Sequence, residues 1–223
     1  LYANHSVEDI SRHGAEAINL TLTKNAVEKI IKDSNHNKQK SICFITGIPG
    51  AGKTLAGLDI ATQSMNYEKD EHACFLSGNG PLVKVLREAL IRNKSELENI
   101  SKKKTEPQVY AFIQNIHHFR DEYFEDTSAP IEKVVIFDEA QRAWNREQAS
   151  KFMNKKSKAK DFNYSEPEFL ISVMDRHQDW CVIICLIGEG QEINTGEAGL
   201  DEWFKTLKEK YPDWNVYLSL IHI

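Results

Sequence analysis

A glycine-rich segment in the first quarter of the chain constrains the fold more than any other feature. Residues 41–54 read SICFITGIPGAGKT, so that an apolar run leads into G-x-x-x-x-G-K-T and a helical pattern follows. Strand, loop and helix in this order form the context that a phosphate-binding P-loop requires. A chance glycine-rich turn is the alternative, but the motif is complete and correctly placed. The segment therefore predicts a domain that binds ATP or GTP.

The residue types of this loop suit a polyphosphate. Gly47, Gly50 and Gly52 let the backbone curl so that successive amide groups point at the anion, and the positive end of the next helix faces it too. We expect the ammonium group of Lys53 to reach the β and γ phosphates, and the Thr54 hydroxyl to hold a bridging Mg²⁺. The expected nucleotide contacts are Gly47, Ile48, Pro49, Gly50, Ala51, Gly52, Lys53, Thr54 and Leu55.

The composition is that of an ordinary globular protein. Its 223 residues are 41% hydrophobic and carry a formal net charge of −5, which suits one sizeable α/β domain. No apolar run is long enough to span a membrane, and no signal peptide is visible. We therefore expect a cytoplasmic protein with no membrane partner.

Neither the cysteines nor the paired histidines of the chain favour a metal site. All four cysteines lie inside apolar, strand-like runs, which predicts buried thiols of a reduced intracellular protein, with a C-x-x-x-C metal site as the weaker alternative. They are Cys43, Cys74, Cys181 and Cys185. His117 and His118 are adjacent, so their side chains diverge on a helix and on a strand alike.

The two ends of the chain are set apart from the domain between them. Residues 1–20 are polar, show no clear period and are expected to be the tail of an upstream domain. Residues 218–223 read LSLIHI, which resembles the translation of a sequencing adapter, with a genuine final strand as the alternative. We expect the ATPase domain to occupy residues 21–217. Because the first residue is Leu1 and not Met, we expect the chain to be a piece of a longer protein.

Strand and helix patterns alternate along this domain. An amphipathic helix from Leu22 and a polar linker at 32–40 precede the P-loop strand. Further buried strands are predicted at 72–77, 134–137 and 180–188, with helical patterns between them. Such alternation implies an α/β fold with a doubly wound, mostly parallel sheet and helices on both faces. Ligands of such sheets bind at the C-terminal ends of the strands.

Other segments are interpreted from local patterns. Residues 100–107, ISKKKTEP, are predicted to form a basic surface loop, and residues 108–124 a short strand followed by a helix. The lysine-rich stretch 151–162 is predicted to be a long loop. Ser165 and Glu168 match the S-x-x-E capping box and therefore predict the start of a helix.

Polar residues that follow two of the buried strands complete the predicted site. Asp138 suits a Mg²⁺ ligand, because a carboxylate is a hard oxygen donor placed rigidly by its strand. Glu139 is the candidate to orient and deprotonate the attacking water, and Gln191 to hydrogen-bond that water and the γ-phosphate. We therefore expect Lys53, Glu139 and Gln191 to be catalytic. Thr54 and Asp138 are the expected metal ligands.

Three segments together carry a family resemblance. GIPGAGKT, FDEAQRAW and IGEGQEINTGEAGLDEW, in this order and spacing, resemble the ATPase core of superfamily 1 helicases, and more specifically the Schlafen-type DNA/RNA helicase domain family, formerly a domain of unknown function. The resemblance covers roughly residues 20–217 and implies the first of two RecA-like motor domains. It equates 47–54 with motif I, 138–141 with motif II and 188–191 with motif III. FLSGNG matches motif Ia, which implies that Ser77 and Asn79 contact a nucleic-acid backbone.

The resemblance implies an ATP-hydrolysing DNA or RNA helicase or translocase, with Mg²⁺ as cofactor and single-stranded DNA or RNA as partner. It also implies a second RecA-like domain, which does not follow in this sequence. Because that domain supplies arginines that stabilise the transition state, we expect this chain to bind nucleotide but hydrolyse it weakly. The acidic net charge does not favour a phosphate-backbone binder, although lysines at 102–104 and within 155–160 form local clusters.

Two other functions remain as alternatives. A nucleotide-dependent switch or sensor would use the same site to gate an attached effector without unwinding. Stimulation of ATP hydrolysis by single strands separates a motor from such a switch. A small-molecule P-loop kinase would need an acceptor pocket and an arginine-rich lid. The sequence indicates neither of these, and the FDEAQ segment argues against a kinase.

Overall fold

Six parallel strands form one sheet at the centre of the protein. The structure is a computed structural model and describes residues 17–47, 52–64, 72–155, 161–188 and 195–219. The strand order is β3-β2-β4-β5-β1-β6, and every pairing is parallel. The strands are β1 (Lys40–Gly47), β2 (His72–Ser77), β3 (Ile113–Asn115), β4 (Glu132–Asp138), β5 (Cys181–Gly188) and β6 (Asn215–Ser219).

Helices connect the strands and cover both faces of the sheet. Within the described residues they are α1 (Ala17–Asn37), α2 (Lys53–Gln63), α3 (Gly80–Leu97), α4 (Lys102–Phe112), α5 (Ile116–Glu125), α6 (Arg146–Met153), α7 (Glu166–Met174) and α8 (Gly199–Lys210). A short 3-10 turn, Ala140–Arg142, follows β4. None of these helices is both long enough and apolar enough to cross a membrane.

The alternation of side chains along each strand creates two cores. On β1, Ile42 and Phe44 belong to the core beneath helices α5 to α8, while Cys43 and Ile45 belong to the core beneath helices α1 to α4. Successive side chains of a strand point to opposite faces, so a strand that is apolar throughout is buried on both. The predicted doubly wound α/β class is therefore confirmed.

The register of the sheet aligns the residues that end its strands. Gly47 of β1 lies opposite Gly188 of β5, and Ser77 of β2 lies opposite both Asp138 of β4 and Asn115 of β3. All five residues stand at the C-terminal edge, where open α/β sheets bind ligands. The P-loop strand and the Asp138 strand are not neighbours, because β5 lies between them.

The predicted linker at 32–40 is wrong, because helix α1 continues through Asn37. Ser34 is buried there, and its hydroxyl donates a 2.7 Å hydrogen bond to the Ser41 hydroxyl of β1. The turn between helix and strand is only two residues long and passes through Lys38, whose φ is 55°. The polar sequence predicted a linker because it gives no sign of the buried hydrogen bond that joins the helix to the sheet.

The predicted loop at 100–107 is also wrong, because α4 starts at Lys102. Thr105, Val109 and Phe112 are buried on one side of this helix, at a spacing of four and then three residues. The lysines face outward, and Pro107 lies inside the helix. The next segment was predicted correctly in kind, since a three-residue strand, β3, precedes α5.

Two secondary-structure elements extend beyond the predicted domain bounds of 21–217. Helix α1 begins at Ala17, inside the segment assigned to an upstream domain. Strand β6 includes Leu218 and Ser219, the first two residues of the segment that resembles an adapter. The predicted domain bounds stay predictions.

The cysteine prediction is confirmed as far as burial goes. All four cysteines are buried free thiols, and burial raises the pKa of the Cys43 and Cys181 thiols to about 12. Among the described residues, no three His, Cys, Asp or Glu side chains are grouped as metal ligands.

Candidate functional site

The start of α2 places the two functional side chains of the described part of the P-loop. Gly52 precedes the helix with φ 79°, a left-handed conformation that favours glycine. Its carbonyl accepts the first helical hydrogen bond, from the Ala56 amide, at 2.9 Å. Lys53 is 8% exposed, and its ammonium group donates a 2.7 Å hydrogen bond to the Gly47 carbonyl at the end of β1. A buried lysine ammonium thus lies between the strand end and the helix start.

Thr54 meets Asp138 although they are 84 residues apart in sequence. The Thr54 hydroxyl donates a 3.0 Å hydrogen bond to Oδ1 of Asp138. Strand β4 fixes the carboxylate and helix α2 fixes the hydroxyl, so rigid elements set the geometry. The two predicted metal ligands are therefore brought together.

The pKa of the Asp138 carboxyl is higher than that of an ordinary aspartate. It is 2% exposed, and burial raises its pKa to about 6; the Thr54 hydrogen bond and the Lys53 charge oppose this rise, while Glu139 adds to it. Its second oxygen, Oδ2, is buried and has no hydrogen-bond partner among the described residues. Mg²⁺ prefers oxygen ligands, and this unpaired carboxylate oxygen lies next to the Thr54 hydroxyl oxygen. The residues present therefore fit this cation.

Glu139 follows Asp138 in a strained backbone conformation. Its φ and ψ are 53° and 47°, a left-handed conformation that is uncommon for any residue but glycine and clusters at functional sites. Its Oε2 accepts a 2.5 Å hydrogen bond from Nε2 of Gln141, and the Arg142 guanidinium lies 3.7 Å away. The predicted catalytic carboxylate is thus held by two side chains of the turn after β4.

Residues on either side of 189–194 are hydrogen-bonded to the residues that follow β4. Before this segment, the Gly188 amide donates to Oε1 of Gln141 at 3.2 Å. After it, the Asn145 amide donates to the Gly196 carbonyl at 2.8 Å, and the Ala198 amide donates to the Ala143 carbonyl. The described residues on either side of 189–194 are therefore hydrogen-bonded to the turn after β4 and the residues that follow it.

A cavity of about 510 Å³ opens beside Asp138. It lies between the ends of β2 and β4 and the starts of α3, α5 and α7. Thr54 and Asp138 form one corner, and the rest of the wall includes Asn79, His117 and Trp144.

The two residues predicted to touch nucleic acid differ in accessibility. Ser77 is fully buried, and its hydroxyl accepts a 3.2 Å hydrogen bond from the Asn79 amide. Asn79 is exposed, caps α3 through the Leu82 amide and lines the cavity. Both contacts stay predictions, but only Asn79 lies at the surface.

Several predicted site residues fall outside the described residues, namely Ile48, Pro49, Gly50, Ala51 and Gln191. Leu55 is half-buried on α2.

Sequence reasoning gave no role in the site to Arg142, His117 and Trp144, and it included Gln141 only as the last residue of motif II. Gln141 and Arg142 follow directly after the Asp-Glu pair, which was the available signal. His117 had none, because its role depends on the tertiary contact between α5 and the turn after β4.

Comparison with known proteins gives one family and distant structural neighbours. The family model described as Schlafen group 3, DNA/RNA helicase domain, matches residues 40–223. No curated protein matches the chain.

Among solved structures, 38 chains match. The crystal structure of the Pyrococcus furiosus Hef helicase domain is 16% identical, with a TM-score of 0.48, and the alignment covers 86% of this chain and 37% of that one. The structure of C. elegans PCH-2 is 15% identical, with a TM-score of 0.26 and coverage of 95% and 42%. The chain thus spans less than half the length of either neighbour.

Proposed function

The chain belongs to the Schlafen group 3 DNA/RNA helicase domain family, and we propose that it is the ATP-binding and ATP-hydrolysing motor domain of a DNA/RNA helicase or translocase. One observation carries the ATP half of this proposal. The Thr54 hydroxyl and the Asp138 carboxylate, from the P-loop helix and from β4, meet at 3.0 Å beside the buried Lys53. This is the arrangement that a nucleoside triphosphate with a divalent cation requires.

Thr54 and Asp138 are the residues that would hold the cation. Bound there, Mg²⁺ would neutralise phosphate charge. The buried Oδ2 of Asp138, which has no hydrogen-bond partner among the described residues, supports this assignment. Burying a carboxylate oxygen without a partner costs folding free energy, and a bound cation would supply that partner.

Lys53 and Glu139 would act on the phosphate and on the water. The Lys53 ammonium, which now donates to the Gly47 carbonyl, would exchange that acceptor for phosphate oxygens of the nucleotide. Glu139 would orient the attacking water and accept its proton. The hydrogen bond from Gln141 orients the Glu139 carboxylate. Gln191 would also hydrogen-bond the attacking water.

The proposal that the domain is a motor rests on the family match and on the hydrogen bonds that link the turn after β4 to the end of β5. ATP binding would reposition the turn after β4 through Glu139, and Gln141 would pass this change to the end of β5. A second RecA-like domain would close over the nucleotide and supply cationic side chains. Hydrolysis would reopen the cleft and move a single strand.

The test is ATP turnover by the longest form that the gene encodes, with and without single-stranded DNA and RNA, beside Glu139→Gln. The proposal predicts turnover that a strand stimulates and that the substitution abolishes, while ATP affinity is kept. If neither DNA nor RNA changed the rate of ATP turnover, the motor hypothesis would be wrong, and a nucleotide-dependent switch would remain as the alternative. No turnover and no ATP binding in any condition would contradict the proposal entirely.

A further inference from the structure

The backbone of Ala140–Arg142, the turn after β4, is held by hydrogen bonds. The Arg142 amide donates to the Glu139 carbonyl at 2.8 Å. The indole nitrogen of Trp203, whose side chain is fully buried, donates to the Ala140 carbonyl at 3.0 Å. The backbone from which the Arg142 side chain extends is therefore held in place at the C-terminal end of β4.

The Arg142 side chain, in contrast, is 47% exposed and lines the same cavity as Thr54 and Asp138. Its Nε lies 3.7 Å from Oε2 of Glu139, which is beyond hydrogen-bond distance. Ion pairs as exposed as this one are weak, so a phosphate group of higher charge can take the guanidinium from Glu139. Oε2 of Glu139 would keep its shorter hydrogen bond, of 2.5 Å, from Gln141.

The charges around the cavity require a cation on this side of the site. Arg142 is the only arginine or lysine among the described residues that line the cavity. The carboxylates of the lining are those of Asp138, Glu139, Glu166 and Glu197. A terminal phosphate bound at the P-loop would be repelled by the two of them that end β4. Lys53 approaches from the end of β1, so Arg142 is the cation available on the β4 side.

A guanidinium group suits the terminal phosphate. Its planar set of donors can bind two phosphate oxygens at once, which an ammonium group cannot match. Charge is spread over the oxygens of the transferring phosphoryl group in the transition state, and an arginine placed there increases the rate by roughly 10³ to 10⁵ in related enzymes. A donor that meets the phosphate only when this charge develops acts on the rate more than on binding.

We propose that Arg142 is a further catalytic residue, which leaves Glu139 for the terminal phosphate of bound ATP and stabilises the charge that develops there during hydrolysis. The inference rests on the proposed function, because it needs ATP at the P-loop. In the reaction a water oxygen forms a bond to the γ-phosphorus, and the bond from that phosphorus to the bridging oxygen breaks. The water proton goes to Glu139, and the electron pair of the broken bond leaves with ADP. This cation comes from the same domain as the P-loop and adds to those that a second domain would supply.

The test compares the affinity for ADP alone with the affinity for ADP, Mg²⁺ and aluminium fluoride, which together mimic the transition state. Isothermal titration calorimetry measures both in wild type and in Arg142→Ala. Wild type is expected to bind the mimic more tightly than ADP. Arg142→Ala is expected to bind the mimic about 10- to 100-fold more weakly than wild type, less than the effect of a buried arginine because the side chain is half-exposed. Its affinity for ADP is expected to equal that of wild type.

Steady-state ATP hydrolysis supplies a second measurement. The kcat of Arg142→Ala is expected to fall by a factor similar to its loss of affinity for the mimic, with KM nearly unchanged. Arg142→Lys is expected to recover part of the rate, because an ammonium group keeps the charge but lacks the two parallel donors. Dilute guanidinium ion, well below the concentrations that unfold proteins, is expected to raise the turnover of Arg142→Ala and not that of wild type.

Arg92→Ala is the matched control. Arg92 lies on α3, is 45% exposed and has its guanidinium 3.6 Å from the Glu88 carboxylate, so its exposure and its ion pair resemble those of Arg142. This variant is expected to bind the mimic and hydrolyse ATP as wild type does. Thermal melts of all variants would show that they are folded.

The other outcomes separate this inference from the proposed function. If Arg142→Ala bound the mimic as tightly as wild type but hydrolysed ATP more slowly, Arg142 would act only by positioning Glu139, and the inference would be wrong. If Arg142→Ala changed neither quantity, the inference would be wrong and the nucleotide site would remain. If wild type bound neither ATP nor the mimic, the proposed function and the inference would both be wrong.

Discussion

The Gly188 amide donates a 3.2 Å hydrogen bond to Oε1 of Gln141, which joins the end of β5 to the turn after β4. Nε2 of the same side chain donates to Glu139 at 2.5 Å. Gln141 is 4% exposed, so a buried amide serves both the carboxylate that would activate water and the strand that leads to Gln191. Gln141 therefore joins the end of β5 to the residue predicted to be the catalytic carboxylate.

Replacing Gln141 by leucine should lower both stability and turnover. The substitution removes the acceptor of the buried Gly188 amide, and such an unsatisfied group costs about 1–3 kcal/mol. It also frees the Glu139 carboxylate to rotate. Urea denaturation measures the first effect and steady-state ATP hydrolysis the second. Gln108→Leu, at an exposed position of α4, should change neither; equal behaviour of the two variants would show that Gln141 has no such role.

Asp138→Asn should stabilise the metal-free protein above pH 6. The folded-state pKa of about 6 lies above the ordinary value of 3.8, so the folded protein binds more protons than the unfolded chain between these values. Its unfolding free energy therefore falls as pH rises through that range, by as much as about 3 kcal/mol for this group. The asparagine variant lacks this loss. Urea denaturation in EDTA should show a gain at pH 8 that disappears at pH 4; a loss of stability at pH 8 would contradict the assigned state of Asp138.

Gly57→Ala should destabilise the protein although alanine favours helices. A Cβ at this position of α2 would lie 2.5 Å from Leu186 Cδ1, 3.0 Å from Ile136 Cγ2 and 3.3 Å from Phe75. Overpacking of this kind costs about 1–3 kcal/mol, against a gain of about 1 kcal/mol in helix propensity. Because α2 carries Lys53 and Thr54, ATP affinity should fall as well.

Gly80 on α3 supplies the control for this substitution. Apart from its chain neighbours, no atom lies within 4 Å of a Cβ built there. Only the ring of the following Pro81 would restrict an alanine at this position, so Gly80→Ala should lower the melting temperature less than Gly57→Ala does. If Gly57→Ala melted no lower than Gly80→Ala, the close packing of α2 on the sheet would be refuted.

Glu166→Gln should be strongly destabilising. Arg120 is 1% exposed and its guanidinium is 2.9 Å from the Glu166 carboxylate, so of the described carboxylates the substitution leaves this buried cation with only the more distant one of Asp121, at 3.5 Å. Breaking a buried pair in this way costs about 3–5 kcal/mol. The double variant Arg120→Met with Glu166→Gln should recover part of the loss in urea denaturation. A double variant less stable than Glu166→Gln would show that the guanidinium has other essential partners.

The positions of Thr54 and Asp138 were predictable because strong local patterns carry them. Asp138 ends an apolar strand and Thr54 belongs to the P-loop motif that follows one, and parallel strands bring their C-terminal ends to one edge. Helix α4 was not predictable in the same way. Its lysine run and Pro107 suggest a loop, whereas the burial of Thr105, Val109 and Phe112 against α3 and β2 makes it a helix.

The pair of aromatic rings in the cavity lining could not be predicted either. His117 and Trp144 come together through packing of α5 against the turn after β4, and no sequence period records such a contact. The bridge between Trp144 and Glu197 is a single pair outside any regular strand. Local patterns predict elements, but contacts between loops depend on the assembled fold.

The central claim is that Thr54 and Asp138 form the cation corner of a nucleotide site, and its most direct test is ATP affinity with Mg²⁺ and with EDTA. Isothermal titration calorimetry would compare wild type, Thr54→Val and the control Thr62→Val, which removes a hydroxyl from the exposed side of the same helix. Mg²⁺ should strengthen ATP binding on the order of tenfold or more in wild type and in Thr62→Val, and Thr54→Val should lose that gain. The account would be contradicted if the ATP affinity of wild type did not depend on Mg²⁺. It would also be contradicted if Mg²⁺ strengthened ATP binding by Thr54→Val as much as it does in wild type.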